Sequence, residues 1–171
     1  MDGWETSQGQ TDDGAVESEQ RVTLREPVVE FSEAGAEQLG RAYWGEVERV
    51  TWHLVRARER EGSLELRLLA RGPSLLRFGR PTFKTTTALA SCSYPIEGGI
   101  LAQRPAGEIV FEQVGGPVPA VRSAIRGFFP SLAARNGKPD WTGALYNLVQ
   151  SRIHVAVSRR YFARLIAEAR G

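Results

Sequence analysis

Asn147, Gln150, Ser151, His154 and Ser158 fall within one sector of a helical wheel turned at about 100° per residue, and none carries a fixed charge. In a chain this rich in Arg and Glu, a solvated helix face would usually include some. The sector therefore suits the polar end of a cavity, with His154 as hydrogen-bond donor or acceptor to a ligand. The commoner role for such residues is a neutral surface stripe, or core side chains bonded to a neighbouring sheet. His53 is the only other histidine, Cys92 the only cysteine, and Asp140 the only aspartate beyond the first twenty residues. Without CxxC or HExxH, nothing in this set points to a zinc or di-metal site, and no metal or cofactor is expected. GxSxG is absent, and a Cys92–His pair cannot be read from spacing, so nucleophilic catalysis has little support. Cys92 lies in a strand-like run, where it reads as a buried small hydrophobe. A pocket Glu or His could still move a proton, which leaves the question of an enzyme open.

The stretch YPIEGGILAQRPAGEIVFEQ, residues 94 to 113, tests another chemistry. A phosphate cradle needs a strand, a glycine-rich loop and a helix whose amides point at the anion, and here strand-like segments follow both turns. Neither GxGxxG nor GxxxxGK[ST] occurs. The glycines read as turn residues between CSYPI, a short strand ILAQ and the strand EIVFEQV.

These residues must be positioned by elements legible in the hydrophobic pattern. Residues 1–20 carry six acids, no Lys or Arg, and little apolar content beyond Trp4, Ala15 and Val16, so they read as a disordered acidic tail. From residue 21 to 171 a single α+β domain is expected. A strand-like RVTLREPVVEF leads to a helix capped by Ser32 and weakened by Gly40 and Gly45. Period-two alternation follows: Val50, Trp52 and Leu54 share one face with His53 and Val55 on the other, and Leu64, Leu66 and Leu68 oppose Glu65 and Arg67. Residues 120–129 fit either period and are read as a strand. After the Asn136-Gly137 turn, a helix of about thirty residues carries Trp141, Leu145, Val149, Ile153, Val157, Tyr161 and Leu165 in a continuous i, i+4 row, wide enough to be buried against a sheet.

Composition bounds the partners. With all 22 basic residues against 14 acidic ones after residue 20, the folded part is basic. Arg outnumbers Lys twenty to two, which looks like the coding bias of GC-rich, bacterial DNA rather than a design for phosphate contacts. RNP-like strands with interleaved aromatics are missing, so nucleic acid is a secondary reading. No apolar run is long enough for a membrane span and no signal-like start is present; a cytoplasmic protein is expected, of unstated oligomeric state.

The order strand, weak helix, about six or seven antiparallel strands and one long C-terminal helix resembles the START-like superfamily (SRPBCC, polyketide cyclase/lipid transport, helix-grip) across residues 21–171, with a loose likeness in GGILAQRP and VSRRYFARLI. One departure is a single helix where the family usually has two short ones. The resemblance implies a curved sheet wrapped on the C-terminal helix around an apolar cavity. The expected function is then binding or carriage of a small hydrophobic molecule, lipid-like or polyketide-like. Trp52, Tyr94, Phe111 and Tyr161 would be walls, with Asn147, Ser151 and His154 as polar contacts. The alternatives are a basic surface docking an anionic partner such as nucleic acid, and a cofactor-free cyclase or dehydratase.

Overall fold

Alternation along the middle of the chain becomes a nine-stranded antiparallel sheet in the computed structural model, which describes residues 3–131 and 154–170. The strands are β1 (Trp4–Gln10), β2 (Val16–Thr23), β3 (Val55–Arg60), β4 (Ser63–Leu68), β5 (Ser74–Phe78), β6 (Thr82–Thr86), β7 (Leu89–Gly98), β8 (Glu108–Val114) and β9 (Ala120–Phe128). They run in the spatial order β1, β2, β9, β8, β7, β5, β4, β3, with β6 also paired to β7. Among the described residues two helices, α1 (Glu33–Val50) and α2 (His154–Glu168), pack on each other. The α+β class holds, but the sheet is open and has more strands than the six or seven expected.

The extra strands come from the supposed tail. Residues 4–10 and 16–23 form a hairpin, closed where Gly14 takes a φ of +89° and donates to Thr11 O. The apolar content of this stretch is low because β2 presents Ser18, Gln20 and Val22 inward along β9, where main-chain pairing supplies the hydrogen bonds. Trp4 packs edge-on to Phe162 of α2, so the acidic segment is part of the fold.

Helix α1 begins where expected: Ser32 accepts a hydrogen bond from the Gly35 amide at 3.2 Å and Glu33 occupies the first turn. It runs unbroken for 18 residues, contrary to the weakness inferred from its glycines. Gly40 is there for close approach. A Cβ at this position would lie 2.7 Å from the Tyr94 hydroxyl and 2.9 Å from its ring, both held in the core. Gly40→Ala should therefore destabilise the protein by about 1–2 kcal/mol in denaturant unfolding, the clash outweighing the gain in helix propensity. The double variant with Tyr94→Phe should recover part of the loss; a stabilised Gly40→Ala would show that the helix has room to shift.

Leu64, Leu66, Phe78, Phe111 and Val121 bury one face of the sheet against α1 and α2, as their alternation requires, and Leu75 joins them at a register shift between β4 and β5. Residues 120–128 are strand. Two other expectations are corrected: ILAQ contributes only an isolated bridge, Ala102 to Pro130, and Val50, Trp52 and Leu54 share no strand, since α1 continues to Val50 and β3 starts at Val55.

Candidate functional site: an apolar cavity beside the helices

Three elements leave a space between them. Helix α1 supplies Tyr43, Trp44 and Val47; the wing β3 to β5 supplies Leu66, Leu75 and Phe78; α2 supplies His154 and Val157. Ile109 and Ile125 close it from β8 and β9. The cavity measures about 390 Å³, within the range of small-molecule sites. No Lys, Arg, Asp or Glu stands among its described lining residues. Among the described residues it borders α1 and the wing as well as α2.

The mouth is formed by the turn after α1. Thr51 caps the helix, its hydroxyl donating to Val47 O at 2.8 Å, and the His53 amide bonds back to Glu48 O at 2.6 Å. Trp52 and His53 both take positive φ, +49° and +62°, a conformation that bulky residues adopt only when surrounding contacts impose it. The consequence is an indole 87% exposed at the rim, beside exposed Leu54.

The polar end is the Tyr43–His154 pair. Their Oη and Nδ1 atoms lie 2.8 Å apart, and His154 is only 4% exposed. His154 Nε2 is buried with no hydrogen-bond partner among the described residues. Burial alone pulls the imidazole down to about 4, so it is neutral at physiological pH, and pushes the Tyr43 phenol up. The pair is held by the helix packing around it: buried Glu46 of α1 meets Arg164 of α2 at 3.3 Å, and Ser158 of α2 meets Ser123 of β9 at 3.1 Å. Of the uncharged sector read from the sequence, Ser158 is thus bonded to the sheet and His154 to α1, while Asn147, Gln150 and Ser151 lie outside the described residues.

The expected walls divide. Trp52 and His154 border the cavity; Tyr94, Phe111 and Tyr161 do not. Phe111 and Tyr161 are fully buried and stack with Tyr43, with ring centroids 4.5 and 5.5 Å away, so they support the wall from behind. Tyr94 packs on Trp44 and borders a different cleft of about 610 Å³, whose rim carries Glu33, Glu37, Glu59, Glu61, Arg41 and Arg80. That cleft is larger but its charges are solvated and partly paired, Arg41 with Glu37 at 2.6 Å. Tyr43, Trp44 and Leu75 were absent from the expected set, since nothing local marks a void beside them. His53 is in the rim turn, with Nδ1 3.1 Å from Arg56 Nη1. Cys92 is buried, its thiol pushed up to about 12 by desolvation, so it is no nucleophile. Among the described residues no cluster of three or more His, Cys, Asp or Glu could hold a metal ion, and no helix is long and apolar enough to cross a membrane.

No family model matches the sequence, and no curated protein matches it. CalU16 from Micromonospora echinospora, known from a crystal structure, aligns with 99% of this chain over 98% of its own at 15% identity and a TM-score of 0.32, a similarity too low to carry an argument.

Proposed function

We propose that this chain is a helix-grip binding or carrier domain that holds a small hydrophobic molecule in the cavity beside α1 and α2. The observation that supports the reading most is the wall chemistry: a space of about 390 Å³ lined by aliphatic and aromatic side chains, with a rim of exposed Trp52 and Leu54. Empty apolar space on this scale is destabilising for the apo protein, since its lining forgoes contacts that a close-packed core would make. Occupancy by an apolar molecule restores them. Trp52, Leu66, Leu75 and Val157 then serve as walls, and His154 as a polar contact. Asn147 and Ser151 stay as proposed contacts from the sequence.

Native mass spectrometry of the purified protein, followed by organic extraction, tests this directly. An added mass that extracts as a hydrophobic compound, or saturable binding of Nile red that is insensitive to salt between about 50 and 200 mM, is the expected result. A bare chain mass together with no Nile red binding would overturn the cavity reading. Binding that instead fell steeply with salt would point to the basic surface.

A further inference from the structure

The Tyr43–His154 pair constrains what the ligand must look like. A buried phenol and a neutral imidazole sharing one hydrogen bond can be arranged in two ways. If Nδ1–H donated to the phenol oxygen, the Tyr43 proton and the Nε2 lone pair would both be left unmade, since neither residue has a further hydrogen-bond partner among the described residues. If the Tyr43 hydroxyl donates to Nδ1, only one group is left, the Nε2–H. Each unmade bond in a dry site costs about 1–3 kcal/mol, so the second arrangement is the one adopted. His154 is neutral, as its burial requires, and so carries one proton, which sits on Nε2.

Tyr43 and His154 both border the cavity, and the imidazole edge not turned to Tyr43 is the one left without an acceptor among the described residues. We propose, building on the cavity reading, that the ligand is a neutral hydrophobic molecule carrying one hydrogen-bond acceptor, a ketone, ester or amide oxygen, that takes the Nε2 proton of His154. A carboxylate or phosphate is disfavoured because the described lining offers no Lys or Arg to pair with it, and an unpaired buried anion is costly. A pure hydrocarbon would fill the space and leave the donor unmade.

Three probes of matched shape separate these cases: methyl naphthyl ketone, ethylnaphthalene and naphthoate, titrated against the full-length protein by calorimetry at about pH 8, where naphthoate is ionised. The ketone should bind about tenfold more tightly than the hydrocarbon, the equivalent of one net hydrogen bond, and naphthoate should bind most weakly. In His154→Leu the ketone's advantage should shrink to near parity with the hydrocarbon. Equal binding of ketone and hydrocarbon by the wild-type protein would overturn this inference while leaving the cavity reading intact, and so would naphthoate binding best. Failure of all three to bind would remove both. If His154→Leu does not fold, the wild-type ratio still decides.

Discussion

Val47→Trp should weaken binding of Nile red or methyl naphthyl ketone by about a hundredfold or more while leaving the protein folded and at least as stable as wild type. Val47 lies one turn beyond Tyr43 on α1 and borders the cavity. An indole there projects into open volume rather than into packed neighbours, so the usual overpacking cost of about 1–3 kcal/mol should not arise. Stability gained with binding lost is a combination that damage to the fold cannot produce. Val118→Trp, at an exposed position away from the cavity, provides the control and should bind like wild type. Undiminished binding by Val47→Trp, with cooperative unfolding retained, would place the ligand elsewhere.

The cavity also shows where sequence reading reaches and where it stops. Period two marked Leu64 and Leu66 as sharing a buried face, residue type marked Ser32 as a helix cap, and the i, i+4 row marked the last helix as amphipathic, because these depend on residues a few positions apart. His154 stood out because an uncharged helix sector is unusual in an Arg-rich chain. The β1–β2 hairpin was missed because its inward residues include Ser18 and Gln20, and pairing with β9 across about a hundred positions makes up for their polarity. The Asp12-Asp13-Gly14 turn was the one local clue to it. Trp52 was misplaced for a different reason: a left-handed conformation is normally left to glycine, so nothing announces a helix end at Thr51 followed by two bulky residues with positive φ. Tyr94, Phe111 and Tyr161, expected as walls, sit behind the wall or beside another cleft. Periodicity reports that a side chain is buried; a void is a shortfall of volume between α1, the wing and α2, and belongs to no single element.

The polar end of that void should make the protein acid-sensitive in a specific window. Folded His154 is held at about 4 by desolvation, whereas in the unfolded chain it titrates near the ordinary 6.5. Between those values the unfolded chain binds a proton that the folded protein refuses, so unfolding becomes progressively easier as pH falls. No cost arises above about pH 7, where both states are neutral, and the full cost, about 3 kcal/mol, is reached near pH 4. Other carboxylates titrate in the same range, so the wild-type profile alone does not isolate the residue. The difference between wild type and His154→Leu does, because the variant lacks the group and keeps the rest. Urea unfolding at half-unit pH steps should show the two curves converging from neutral pH downward, with His154→Leu gaining up to about 3 kcal/mol relative to wild type by pH 4. Parallel curves would mean that His154 is solvated or paired in the folded state, and its Nε2–H would then not be the unmatched donor that a neutral ligand completes.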